Sequence, residues 1–174
     1  MKLFSEAVEY GLRAVIWLTE HPGQFWTVRE IAEGTQAKAG YLIRVVQILA
    51  RAEIVRAQRG VGGGVSLKAD PAHLSVLDVI NAVDPLARIK FCPLGLKSHG
   101  TRLCSMHRCV DKAMATIESE FSKVTIQDLL SDGNPTRPLQ ETVGKLVGVG
   151  VSREKRETRH ANHERKGKGR DVVL

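Results

Sequence analysis

Arg59-Gly60-Val61-Gly62-Gly63-Gly64 constrains this chain more than any other stretch. Four glycines in five residues allow positive φ and a close approach of backbone to another surface. Ile54-Val55-Arg56-Ala57-Gln58 precedes it and Val65-Ser66-Leu67-Lys68 follows, two short runs with roughly alternating apolar side chains. That pattern predicts a β-hairpin with a glycine-rich tip, its rim carrying Arg56, Arg59 and Lys68 beside Gln58. A basic hairpin directly after two short helices reads as the wing of a winged helix-turn-helix. The competing reading is a phosphate-cradling loop of a nucleotide enzyme. Such loops lead from a strand into a helix, usually with Lys-Ser/Thr or a downstream acidic ligand, whereas here a second strand follows.

The segments before the hairpin supply the helices. Ser5 can cap a helix running to about Glu20, with Val8, Leu12, Val15 and Ile16 on one apolar face and His21-Pro22-Gly23 ending it. Glu9 and Arg13 lie four apart on the other side, the spacing of an ordinary surface ion pair. Thr27-Val28-Arg29-Glu30 is a capping box that opens a second helix, which stops near Gly34. A third is expected from about Lys38 to Ala52, its inward stripe Leu42, Val45, Val46 and Leu49.

Two helices joined by Gly34-Thr35-Gln36 have the helix-turn-helix layout, whose second helix enters the major groove. Lys38, Gly40, Tyr41 and Arg44 would face base edges, since Arg and Lys can donate to guanine O6 and N7. With Gln47 and Arg51 further along, Thr27 at the preceding cap, and Arg59, Gly62, Gly63 and Lys68 on the wing, they make the expected DNA-binding set. A formal net charge of +7 and a pI near 9.6 favour a polyanionic partner without choosing between nucleic acid and a membrane surface. The basic wing beside the outward charges of the third helix makes that choice for double-stranded DNA.

Beyond the wing, Ser75-Val76-Leu77-Asp78 is another capping box, with Val76, Val79, Ile80 and Val83 as the buried stripe up to Asp84-Pro85. From Lys90 to about Leu103 the periodicity disappears and a loop is expected, opened by Cys92 and closed by Cys104; His107 and Cys109 follow at the start of a long helix. Met106, Val110, Ala113, Met114, Ile117 and Phe121 form a near-heptad seam on that helix. No later helix in the chain could cover it, so packing of residues 105–122 against a twin in a homodimer is expected. Thr125-Ile126-Gln127-Asp128 caps one short last helix, and 131–174, with its dense mixed-charge run, reads as a disordered basic tail.

Three cysteines, an odd number, argue against a secreted disulfide framework. There is no apolar run of membrane-spanning length, and Met1-Lys2-Leu3-Phe4 does not open a signal peptide, so the chain is read as cytoplasmic with no membrane partner. Cysteine thiolates with an imidazole or carboxylate are the usual ligands of zinc or an iron–sulfur cluster. The spacings from Cys92 to Cys104 to Cys109 fit no zinc-finger pattern closely, and Cys109 on the seam side could equally be a small buried hydrophobe. An enzyme using Cys and His as nucleophile and base has the residue inventory but no pocket signal, and the chain is read as not an enzyme.

Together these features resemble the IscR/NsrR-type winged-helix transcriptional regulators, the Rrf-two family, from Met1 to about Leu130. The matching features are Met1-Lys2-Leu3, the Thr27 to Val55 helix pair, Arg59-Gly60-Val61-Gly62-Gly63-Gly64 and Val79-Ile80-Asn81-Ala82-Val83-Asp84. The resemblance implies a mainly α fold with a small β-hairpin wing. A winged helix-turn-helix would cover 1–86, a ligand-bearing loop 87–104, and a dimerisation helix with a short end helix 105–130. It further implies a bacterial homodimeric regulator, here a repressor, in which an iron–sulfur cluster reports iron, redox state or nitric oxide.

Cys92 falls at the family's first cluster cysteine, and Cys104-Ser105-Met106-His107 is similar to its final cysteine followed three residues on by histidine. The middle cysteine is missing; Ser98 and His99 occupy that part of the loop, and Cys109 or His99 could replace it. Glu9 sits where an acidic residue of the partner subunit binds iron in some members. The metal set implied is therefore Cys92, Cys104, Cys109, His107 and Glu9, holding a [2Fe–2S] or alternatively a [4Fe–4S] cluster, although some relatives carry none. Two other readings share the fold. One is a cluster-free regulator sensing thiol oxidation, with Lys90, Lys97, Arg102 and Arg108 favouring thiolates; the other is a zinc-stabilised DNA-binding module.

Overall fold

The computed structural model describes residues 3–96, 102–134 and 136–139. Helix α1 (Glu6–Glu20) is the axis of the molecule, packed against α2 (Val28–Thr35), α3 (Ala39–Arg51), strand β2 (Gly64–Leu67), α4 (Val76–Val83) and α6 (Ile126–Ser131). Ser5 begins it as expected, its hydroxyl accepting from the Val8 amide at 3.4 Å. A single apolar face proves too narrow a description. Besides Val8, Leu12, Val15 and Ile16, the helix buries Tyr10, Ala14, Trp17 and Leu18, because neighbours surround it on most sides.

Helices α2 and α3 form the expected pair, one residue shorter at each end of α3 than the Lys38–Ala52 estimate. Thr27 completes the capping box with Glu30, and Leu42, Val45, Val46 and Leu49 are buried as the stripe required. Gln36 adopts a left-handed conformation (φ 54°) in the turn between them. The Arg13 guanidinium donates to the Thr35 carbonyl at 3.3 Å, tying α1 to the end of α2.

The wing is a two-stranded antiparallel hairpin of β1 (Val55–Gln58) and β2, paired Val55↔Leu67 through Gln58↔Gly64. Strand β2 is stitched to the body near its tip end by an antiparallel bridge between Trp26 and Val65, with bonds of 2.9 and 2.7 Å. Trp26 also packs edge-on against Trp17 at 5.0 Å, and His21 stacks on the other ring at 4.0 Å.

Helix α5 (Ser105–Lys123) has no fully buried residue, although it carries an apolar stripe. Met106 is well exposed, and only the C-terminal part of the expected seam meets the chain's own core. Phe121 there packs on Phe4, ring centroids 5.5 Å apart. This residue therefore serves the protomer's own packing, a role the seam reading did not give it. The basic tail beyond 139 lies outside the described residues, as do Lys97, Ser98 and His99.

Candidate functional site

The outward face of α3 presents Gly40, Ile43, Arg44, Gln47 and Arg51, all exposed, because the opposite face is committed to the core. Lys38 is the N-cap residue; its ammonium lies 3.8 Å from the Glu6 carboxylate, and the Tyr10 hydroxyl donates to that same carboxylate at 3.0 Å. Tyr41 rests edge-on against the Tyr10 ring at 5.7 Å. Among the described residues, Arg44, Arg51, Arg56 and Arg59 form no ion pair, which leaves their charges available to an incoming polyanion. Lys68 differs. Its ammonium is paired with Glu53 at the base of the wing, so a phosphate would compete with a carboxylate already in place. Thr27 commits its hydroxyl to Glu30 in the cap.

The tip glycines have reasons internal to the turn. Gly62 sits at φ +78°, and a Cβ on Gly63 would lie 2.3 Å from the Gln58 carbonyl oxygen. At Gly62 the positive φ, and at Gly63 the close approach, explain glycine without reference to a partner.

The thiol region is built around the start of α5. Cys104 is its N-cap residue with extended ψ of 165°, so its side chain precedes the first helical turn. Its Sγ lies 3.4 Å from His107 Nδ1. Cys92 and Cys104 are half-buried and Cys109 is exposed. Among the described residues no group of three or more metal-ligating side chains comes together within one chain. Glu9 is engaged by Arg13 on α1. Of the expected metal set, the structure thus unites Cys104 and His107.

Sequence reasoning missed one feature. Arg88 donates Nε and Nη2 to the two carboxylate oxygens of Asp111 (2.8 and 2.7 Å) and Nη1 to Glu118 at 3.1 Å. The Ile89 amide adds a bond of 3.0 Å to Asp111. This fork fixes the segment leading to Cys92 against α5, and the guanidinium holds the Asp111 carboxyl below its ordinary range. No local pattern announces it, since the partners are separated by 23 and 30 residues.

Residues 4–132 match the family described as Rrf2, iron-dependent transcriptional regulator. The chain belongs to the Rrf2 family. Among solved structures, this Rrf2 chain is similar to IscR of T. potens, with 24% identity, a TM-score of 0.64, and coverage of 81% of this chain and 94% of that one. It is similar also to CymR (YrzC) of B. subtilis, described as the global cysteine regulator, with 21% identity, a TM-score of 0.61, and coverage of 77% and 100%. The oxidized form of CymR from Staphylococcus aureus matches at 23% identity and a TM-score of 0.60, over 78% and 100%. These likenesses establish the fold. Membership of Rrf2 makes the chain a DNA-binding transcriptional regulator and not an enzyme. No helix among the described residues is long and apolar enough to cross a membrane.

Proposed function

We propose that this Rrf2 protein is a cytoplasmic homodimeric repressor whose operator affinity is set by an iron–sulfur cluster. The observation that carries the reading is the Cys104–His107 pair, 3.4 Å apart, with Cys104 ahead of the first turn of α5. In a continuous helix Cys104 and Cys109 would point about 140° apart. Placed at the N-cap, Cys104 is free of that restriction. Thiolates and an imidazole are soft and borderline donors that suit iron–sulfur or zinc and not magnesium or calcium, so the residues fit the group. Cys92 and Cys104 would hold it, with His107, Cys109 and Glu9 from a second copy competing for the remaining places. When bound, a [2Fe–2S] or [4Fe–4S] cluster supplies bonds that oxidants, nitric oxide or iron scarcity can break.

The chain's own residues do the rest. Arg44 and Lys38 face bases while Arg59 and the tip glycines meet phosphate. Apolar residues of α5, Val110, Met114 and Ile117 among them, pair with those of a second copy. Fastening Cys92 to the start of α5 sets the separation of two recognition helices, which must match half-sites about 34–36 Å apart. Affinity changes only by the free-energy difference the ligand makes between the two arrangements.

Anaerobic purification, absorbance spectra and iron and sulfide counting test the reading. Cys92→Ala and Cys104→Ala should abolish the visible bands, and Cys109→Ala, His107→Ala and Glu9→Ala should alter them to different degrees. Full iron content in either of the first two variants would overturn the cluster reading built on Cys92 and Cys104. Exposed Cys109 favours a second reading, regulation by thiol oxidation, in which the isolated protein is colourless and metal-free. Colourless protein with bound metal would instead indicate zinc.

A further inference from the structure

We propose that Ile43 reads a thymine methyl group in the major groove, an inference that rests on α3 being the base-reading helix. The outer face of α3 is otherwise polar or bare: Gly40, Arg44, Gln47 and Arg51. Ile43 stands among them 46% exposed. Tyr41, the other exposed apolar residue of this helix, has the Tyr10 ring as its neighbour. A β-branched side chain is a weak helix former, and at this position it fills no part of the core.

A single exposed aliphatic is common on any surface. What distinguishes this one is its surroundings. Gly40 lies one turn earlier on the same face, and a Cβ built there would meet no atom within 4 Å. Helical side chains lean toward the N-terminus, over the residues three and four positions back. Ile43 therefore has bare backbone on its N-terminal side and is exposed in the N-terminal half of the helix, where recognition helices meet base edges. The one apolar group offered by the major groove is the C5-methyl of thymine.

Gln47 follows at i+4, about 6 Å further along the axis. A glutamine amide can pair with adenine N6 and N7. The two side chains together suit adjacent A·T pairs, Gln47 on an adenine and Ile43 on a thymine methyl at the same or the next step. Arg44 sits between them with its guanidinium free for a guanine or a phosphate.

Removing the methyl alone tests this. The full-length protein, isolated anaerobically, would select its preferred duplex from random sequences, and each thymine of that duplex would then be replaced singly by deoxyuridine. We expect one thymine in each half-site where the substitution weakens wild-type binding about fourfold, the effect of one buried methyl. Ile43→Val should retain part of that dependence and Ile43→Ser should lose it, with binding to random duplex unchanged in both. Because the side chain is outside the core, both variants should keep the wild-type helical signal. Wild-type indifference to uracil at every thymine would overturn the proposal, as would the same thymine dependence in Ile43→Ser. Failure of the wild type to prefer any sequence would overturn base reading by α3 itself, and this inference with it.

Discussion

Ser75 and Thr125 face each other across an isolated antiparallel bridge, and each is the N-cap of a capping box. The Ser75 hydroxyl accepts from the Asp78 amide at 3.1 Å, and the Thr125 hydroxyl accepts from the Asp128 amide at the same distance. Backbone bonds of 2.9 Å run from Val76 to the Val124 carbonyl and from Ile126 to the Leu74 carbonyl. Two helix starts thus share one strand-like stitch, which fastens the far end of α5 to the DNA-binding body.

Ser75→Ala and Thr125→Ala should each cost about 1 kcal/mol through loss of the cap. Because the two caps support one bridge, the double variant should depart from the sum by about 0.5 kcal/mol or more. Urea unfolding of the four proteins measures both effects; strict additivity would mean that the caps act independently.

Arg88→Lys should release the segment before Cys92, since an ammonium cannot reproduce a fork that engages both oxygens of Asp111 and also Glu118. Faster hydrogen exchange at the Ile89 amide, which donates to Asp111, is the expected sign. The pH dependence follows from the depressed Asp111 carboxyl. Stability from such a group is present above its unfolded pKa of about 4 and is lost as pH falls through the lower folded value. Ile89 protection should therefore hold at pH 5 and decline in more acidic solution. Protection that is flat down to pH 2 would contradict the assignment.

Gly34→Ala should destabilise the fold. The new Cβ would lie 2.3 Å from Trp17 Nε1 and 2.8 Å from Cε2. Trp17 has little room to yield, being stacked on His21 and abutted by Trp26. Overpacking of this kind costs about 1–3 kcal/mol. A lowered denaturation midpoint together with a changed tryptophan emission would show it; an unchanged midpoint would mean that the ring moves freely.

Much of this was legible in the chain. Ser5, Thr27, Ser75 and Thr125 each begin a helix by capping chemistry that depends on residues three positions apart, so local sequence carries the signal. The hairpin declared itself through glycine. Contacts between distant segments did not. The Trp26–Val65 bridge, the Arg88 fork and the Phe4–Phe121 contact join residues tens of positions apart, and alternation or helical periodicity contains no trace of them. In the candidate site, Cys104 and His107 were picked out by the family resemblance, and the structure brings them to 3.4 Å. The Lys68–Glu53 pair was not legible, because a wing lysine looks alike in sequence whether it is free or engaged.

Arg44→Ala and Arg59→Ala should separate base reading from phosphate contact. The first should cost roughly 1–3 kcal/mol on the selected duplex and relax sequence preference; the second should weaken all duplexes alike and reduce the salt slope by about one. Titrations at several salt concentrations decide it. Equal losses on selected and random duplex for Arg44→Ala would withdraw its role as a base reader.

Ile117→Glu should yield a monomer. A carboxylate placed within a symmetric apolar seam is an unpaired buried charge, costing on the order of 3 kcal/mol or more. Light scattering would report the halved mass, and specific DNA binding should fall with it. A stable dimer would move the seam elsewhere on the molecule.

The bridge between Trp26 and Val65 bears on the entropy of docking. A free two-stranded hairpin is at best marginally ordered in water. Here β2 is pinned near its tip end by two further backbone bonds, and at the root the Lys68 and Ala69 amides both donate to the Ile54 carbonyl. If DNA meets this wing as proposed, it meets strands that are already paired and fastened to the body, and chiefly side chains remain to be ordered. Preorganised contacts of this sort lose little conformational freedom on association. Loosening that bridge would leave every basic residue in place and still slow a productive encounter with DNA.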